Sequence, residues 1–428
     1  MILLIVAASI ALMLLRPRGI AEVWWVGAGA VLLVALRLVP LRLAAHAVRE
    51  GLDVYLFLIG MMLLSALAER EGVFDWVAAR AVHDARGSSV RLFTLIYLTG
   101  VVVTVLMSND ATAVVLTPAV LTAVRRARVK PLPYLFACAM VANAASFALP
   151  ISNPANLVVF RGRMPSLGHW MIAFGVPTLL SVSATYLALR VIFRQQLTAP
   201  QIELQSGELA QTSAQTPVLA PARLSANGRL VLAGLAAMIA ALLVASACGI
   251  DLGWPTCLLA LSLTLVVSAR AWRSPLPLLR DISWKTLALV AALFVLVDAV
   301  ISVGALRWAV DALTHAQTMP AGALAVSFAI GIGNNLVNNL PLGLIAGAAA
   351  QTAHLGPFLS ASVMLGIDLG SNLSVTGSLA TILWLIALRR EGLHVSAREY
   401  LKVGLWVMPV GMLAAVAGIL LMRALGTL

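Results

Sequence analysis

Twelve apolar stretches follow one another along the chain, at roughly residues 2–15, 20–38, 52–68, 92–124, 132–160, 170–193, 229–250, 254–269, 285–304, 320–353, 358–388 and 401–425. About 20 apolar residues are what a helix needs to cross the hydrocarbon core of a bilayer. Charged residues make up 11% of the chain and hydrophobic ones 61%, whereas a soluble domain carries about 25% charged residues on its wetted surface. Lipid must therefore be the solvent for most of this surface, which predicts an all-α integral membrane protein. The apolar run directly after Met1 has no basic region before it and no small-residue cleavage site. It reads as a retained first span rather than a removable signal.

The formal net charge of +12 does not point to nucleic acid. Lys and Arg fall in short clusters between apolar stretches, such as Arg125, Arg126, Arg128 and Lys130, or Arg270, Arg273 and Arg280. That is how the positive-inside bias is written, with anionic lipid headgroups as the expected partners. Cys138, Cys248 and Cys257 have no metal-finger or CxxC spacing, so neither a disulfide framework nor a metal site is expected. No Walker or dinucleotide motif is present. His83, His169, His315, His354 and His394 lie in or beside connecting segments, with no hydrolytic constellation around them. A transporter without its own nucleotide site or cofactor is expected, driven by an ion gradient or a separate partner, and not an enzyme.

The polar segment 194–228, rich in Gln, Ser, Thr and Pro, has linker composition. It separates an N-terminal half, 1–193, from a C-terminal half, 229–428, and is expected to be cytoplasmic. Each half repeats the same order: three spans, an amphipathic stretch, two interrupted apolar segments and a last span. The amphipathic stretches are Phe74 to Arg86 and Leu306 to Ala316. The first interruptions are SNDATAVVLTP, beginning at Ser108, and NNLPLGLIAG, beginning at Asn338. The second are NAASFALPISNPAN, beginning at Asn143, and DLGSNLSVTGSLAT, beginning at Asp368. Recurrence at offsets of roughly 225 to 235 residues marks an internal duplication.

Positive charge flanks the SND segment on both sides, so it is expected to enter and leave on the cytoplasmic face as a re-entrant hairpin. Its counterpart has only Arg307 before it and no Lys or Arg between Ala321 and Leu388, so it is expected to open outside. The prediction is two inverted repeats, each of about five spans plus a re-entrant hairpin and a discontinuous helix. Arg37, Arg42 and Arg49 speak against this orientation, since it places them outside.

Helix breaks survive in hydrocarbon only where protein or a watery cavity satisfies the freed backbone groups. The breaks here are made of small polar residues, above all asparagine, which donates and accepts without charge. Asn109, Asn143, Ser152, Asn153, Asn156, Asn338, Asn339, Thr376 and Ser378 are the candidate substrate ligands. Asn334, Asn335 and Asn372 belong to the same cluster. Each could instead be a helix cap or an interhelical bond worth about 1 kcal/mol.

Asp110, Asp298 and Asp368 stand in apolar surroundings, and an intramembrane carboxyl is a functional candidate by default. Asp110 and Asp368 are the candidates for carrying a coupling proton; an N-cap of a helix starting at Ala111 is the alternative for Asp110. Asp298 has no counterpart in the first half and ranks third. Glu22 and Asp53 read as interfacial. So do Trp24, Trp25, Trp170, Trp254, Trp284 and Trp406, near span ends. Cys138 is a possible soft ligand, but a small buried hydrophobe is its commoner role.

SNDATAVVLTP, NAASFALPISNPANLVV, NNLPLGLIAG and IDLGSNLSVTGSLATILWLIALRREG resemble the arsenical pump membrane protein family, the arsenite and antimonite efflux permeases of the ion transporter superfamily. The resemblance runs over essentially the whole chain. The SNDATA and NPAN elements recur in altered form across that superfamily, which includes sodium/proton antiporters and carboxylate carriers. GSLATILW is more particular to arsenite carriers. The resemblance implies a bacterial-type inner-membrane protein that exports trivalent arsenic or antimony in exchange for protons. It also implies a possible partner, a separate arsenite-stimulated ATPase. Neutral arsenite trihydroxide needs amides and hydroxyls, which the breaks offer; they offer no Arg, which argues against a di- or tricarboxylate. A sodium/proton antiporter and a passive channel subunit are the alternatives.

Overall fold

The computed structural model describes residues 1–161, 164–198 and 223–428. Most of the expected linker, residues 199–222, lies outside the described residues. Of its remainder, Arg194–Thr198 is a short helix, and the C-terminal repeat begins with a helix at Ala226, inside the expected linker.

Among the described residues the chain is helical, without strands. The first repeat runs α1 (Ile2–Leu15), α2 (Glu22–Ala35), α3 (Leu41–Glu50), α4 (Leu52–Arg70), α5 (Val73–Ala85) and α6 (Ser89–Leu106). Next come α7 (Asn109–Ala111), a π turn over Thr112–Leu116, α8 (Thr117–Arg126), α9 (Leu132–Ala144), α10 (Pro154–Val159) and α11 (Leu167–Ile192). After α12 (Arg194–Thr198) the order recurs: α13 (Ala226–Ala247), α14 (Gly253–Arg270), α15 (Leu276–Asp281), α16 (Trp284–Ser302) and α17 (Arg307–Thr318). Then follow α18 (Gly322–Val337), α19 (Asn339–Thr352), α20 (Pro357–Gly370), α21 (Leu379–Arg390) and α22 (Ala397–Ala424). Helices α13 to α22 repeat α1 to α11, with α19 standing for α7, the π turn and α8.

Seven of the described helices are long and apolar enough to cross a membrane, and five shorter apolar ones accompany them. Within a repeat, α1, α2, α4, the α9–α10 pair and α11 each cross once, while α6 and α8 go in and come back. Five crossings is an odd number, so the second repeat is inverted relative to the first.

The packing has the same exchange symmetry. Helix α2 packs on α16 and α4 on α14; α11 lies along its own counterpart α22. Where α11 and α22 touch, Gly418 faces the backbone of Pro177, whose ring breaks the α11 ladder. In the second repeat α18 and α20 meet through Gly331 and Gly370, backbone against backbone. Small residues allow such close approach where lipid supplies no hydrophobic drive between helices. Contacts across the seam also sort by face. Asp53 Oδ1 accepts from Gly253 N–H at 2.6 Å on the face where α4 begins, and Arg125 meets Glu391 at 3.3 Å on the opposite face.

The expected tryptophan belt divides. Trp24, Trp254, Trp284 and Trp406 are exposed. Trp170 is instead fully buried and donates its indole N–H to Phe147 O at 3.1 Å. It closes the first repeat's second break from behind, because a buried indole must find an acceptor, and so it is not interfacial.

Candidate functional site

Each of the four breaks ends one helix and starts another. Helices α6, α9, α18 and α20 end there; α7, α10, α19 and α21 begin there. The new helices are capped by polar residues of the breaks. Ser108 Oγ accepts from Ala111 N–H at 3.1 Å, and Asn153 Oδ1 from Ala155 N–H at 3.0 Å. Asn338 Oδ1 accepts from Leu340 N–H at 3.5 Å, and Ser378 Oγ from Thr381 N–H at 3.1 Å. These bonds satisfy orphan donors that hydrocarbon would leave unpaired. N-termini and C-termini are equal in number, so their opposed partial charges give the region no strong preference for one sign.

Asp110 is not a cap. The helix begins at Asn109, two residues earlier than expected, and Ser108 caps it; Asp110 is half-buried in its first turn. Asn109 and Asn339 take equivalent places at the two hairpin tips, both buried.

The two second breaks interlock across the repeats. Asn143 Nδ2 donates to Asn372 Oδ1 at 3.0 Å, and Asn372 Nδ2 donates to Met140 O at 3.0 Å. Asn153 Nδ2 donates to Asp368 Oδ1 at 2.7 Å, and Ser146 lies beside the same carboxyl. Asp368 is fully buried. Asn156 folds the first break on itself, giving its amide hydrogens to Ser146 O at 2.9 Å and Leu149 O at 3.1 Å. Ser152 ties that break to the first hairpin through Val105 O at 3.0 Å.

In the second repeat Asn335 is the organiser. It accepts from Ser374 N–H and Oγ–H at 3.0 and 2.7 Å, and its own carbonyl accepts from Thr376 Oγ1 at 2.8 Å. Asn334 donates to Ile367 O at 2.7 Å and Ser371 Oγ at 2.8 Å. Asn338 donates to Thr376 O at 3.0 Å, joining the second hairpin tip to the break. Its backbone is strained, with φ 80 and ψ 153, in a region that costs a non-glycine residue about 1–3 kcal/mol. Ser378 pairs with Thr381 Oγ1 at 2.9 Å.

What remains unpaired defines the chemistry on offer. Buried Oδ1 atoms of Asn109, Asn143, Asn156, Asn334 and Asn339, and Oδ2 of Asp368, have no hydrogen-bond partner. All six are oxygens. For Asn143, Asn156 and Asn334 the orientation is fixed, because the amide nitrogen faces an oxygen acceptor. Leaving such a group dry costs about 1–3 kcal/mol, so these breaks are set to receive hydrogen-bond donors or a cation.

Three expectations change. Asp298 does not stand alone: Arg161, just past α10, donates Nη1 to its Oδ1 at 3.1 Å. Glu22 is ion-paired with Arg16 rather than interfacial. That pair borders a cavity of about 30 Å³ together with Asn338, Leu340, Pro341 and Thr376, so arginine does approach the second hairpin tip. Helix α1 has only 14 residues, about 21 Å, which is why Arg16 reaches this depth. Arg161 and Arg16 drew no attention in the sequence because neither lies among the paired asparagine motifs, and Ser146, though inside one, stands between apolar residues with no counterpart asparagine to mark it. Cys138 is fully buried within α9.

Comparison with known proteins agrees with these features. A family model described as "Citrate transporter" matches residues 2–367. The arsenical pump membrane protein of Escherichia coli is 24% identical over 413 residues, 93% of this chain and 92% of its own length. That of Yersinia enterocolitica is 26% identical over 366 residues, 81% of each. Among solved structures, the Alcanivorax borkumensis YdaH transporter, described as having an unusual topology, aligns with a TM-score of 0.58 at 13% identity. The alignment covers 90% of this chain and 88% of that one, and at that identity it speaks for the fold alone. The motifs that resemble arsenical pump proteins thus sit in a chain with such relatives over nearly its whole length, and by the match over residues 2–367 this multi-pass membrane protein belongs to the citrate transporter family.

Proposed function

We propose that the chain is a secondary arsenite and antimonite efflux transporter that exchanges the metalloid for protons by alternating access. The observation that carries this reading is the set of unpaired buried oxygens at the breaks; Arg16, which borders the second hairpin tip, is already paired with Glu22. Arsenite trihydroxide is neutral and presents three hydroxyl donors, which match acceptors. A citrate-like polycarboxylate presents mostly acceptors, with a single hydroxyl donor, and would leave most of the oxygens on both sides unpaired. The names of the relatives support the same substrate. Asn109, Asn143, Asn153, Asn156, Asn338, Asn339, Thr376 and Ser378 would form the site, with Ser152 holding its first break. Asp368 and Asp110 would handle the coupling proton. The same chain would serve as membrane subunit for a separate arsenite-stimulated ATPase wherever one is present.

The test is metalloid uptake into everted vesicles, first with a proton gradient and then with it collapsed. Uptake that stops on collapse is expected; gradient-independent uptake overturns proton coupling. A sodium/proton antiporter is the second reading, favoured by the same oxygens, since Asp368 Oδ2 and amide carbonyls also suit a hard cation. Sodium-dependent proton flux that ignores arsenite selects it.

A further inference from the structure

Each hairpin is tied to the short helix of the other repeat. At the end of α8, Arg125 Nη2 donates to Glu391 O, just past α21, at 2.8 Å. At the end of α19, Gln351 Nε2 donates to Arg161 O, just past α10, at 3.1 Å. These two ties are counterparts under exchange of the repeats, but their side chains go different ways. On the Glu391 side the ion pair stays between α8 and α21, with the two side chains 47% and 41% exposed. On the Arg161 side the guanidinium crosses the seam to α16 and also reaches α3 of its own repeat. There it meets Asp298 Oδ1 at 3.1 Å and Glu50, and lies 4.6 Å from the Phe294 ring centre. Arg161 and Asp298 are only 18% and 12% exposed.

The duplication does not supply a second such anchor. Helices α4 and α16 are both 19 residues long. The residue of α4 in the place of Asp298 is Ala66. One face of the seam carries a largely buried ion pair and the other an exposed one.

We infer that Arg161 and Asp298 are a positioning pair that holds α10, and with it Asn153 and Asn156, against α16, and whose opening accompanies the switch to the opposite-facing state. The inference rests on the alternating-access reading. Separating a half-buried pair strands charge at low dielectric, so the closed pair fixes which conformation the protein rests in. Glu50, more exposed at 43%, offers Arg161 a second partner nearer water. His46 Nδ1 lies 3.8 Å from Glu50, and the ligand atoms of His46, Glu50 and Asp298 lie within 4.8 Å of one another. Arg161 already supplies the positive charge for that cluster.

Met13 reports on the switch. It is 5% exposed beneath the second hairpin tip, beside Asn338 and Leu340. In full-length protein with Cys248 and Cys257 replaced by Ser, Met13→Cys is labelled with a maleimide in membranes containing no substrate. Asp298→Asn or Arg161→Gln should raise the labelling rate about fivefold, equivalent to roughly 1 kcal/mol. The exchange Arg161→Asp with Asp298→Arg should bring it back toward the starting value. Unchanged labelling in both single variants overturns the inference. So does a charge exchange that labels as fast as the single variants while keeping a monodisperse elution profile. Because no metalloid is added, the result stands whether or not arsenite is the substrate.

Discussion

Asn143 gives its amide hydrogen to Asn372 at 3.0 Å, which bonds the last turn of α9 in the first repeat to the second break of the other. A side chain of one repeat thus completes the other's unwound segment, and the Asn153–Asp368 bond nearby does the same. The four breaks form one interlocked region and not two separate ones.

Asp368 is the buried carboxyl in that region, held at one oxygen only. Asp368→Asn should leave the protein inserted and lower proton-coupled metalloid flux by about 100-fold, the order a proton-transferring side chain contributes. Vesicle uptake at equal membrane expression measures it. Wild-type flux would remove Asp368 from the mechanism.

Asp110 lies in the first turn of α7, with Ser108 rather than itself as the cap. Because it caps nothing, Asp110→Asn should cost little stability while blocking coupled transport. Growth on arsenite with the variant as sole exporter is the check. Full resistance there would sink the proton assignment for this residue.

The strained backbone of Asn338 makes two substitutions diverge. Glycine relieves about 1–3 kcal/mol of strain while giving up the cap and the bond to Thr376 O. Alanine gives up both bonds and keeps the strain. Thermal unfolding in detergent should therefore place Asn338→Gly near the parent and Asn338→Ala several degrees lower. Equal melting of the two would mean that the conformation is not strained.

Gly370 permits the contact between α18 and α20. A Cβ there would lie 2.6 Å from Gly331 O and 2.9 Å from its carbonyl carbon, and backbone cannot yield as a flexible side chain can. Gly370→Ala should part the two helices and lower both melting temperature and flux, since Asp368 is two residues away. Gly175→Ala is the control: the nearest atom is Met171 Cε at 3.6 Å, and a helix-interior alanine there should gain about 0.5–1 kcal/mol.

Spans, breaks and duplication were legible because hydrocarbon tolerates few polar residues, so every Asn-rich interruption stands out against Val and Leu. The caps at Asn153, Asn338 and Ser378 follow from local chain chemistry and could be read residue by residue. Arg161, Arg16 and Ser146 could not be. Arg161 looks like an ordinary loop arginine until it is laid beside Asp298 of α16, 137 residues away in the chain. Glu22 failed for a related reason, since the shortness of α1 becomes meaningful only when the second hairpin tip is seen beneath it. Trp170 resembled its interfacial neighbours because position near a span end does not say which way an indole points.

The exchange of neighbours between repeats also sets an order of events during synthesis. When the first repeat has been made, α4 still lacks α14, and Asn143 and Asn153 still lack Asn372 and Asp368. The nascent N-terminal half must wait in the bilayer with its polar breaks unmatched, and a chain stopped after Thr198 should be cut by protease where the full chain resists. Only once Asp368 and Asn372 have emerged can the earliest-made breaks close, so the second repeat completes the folding of the first.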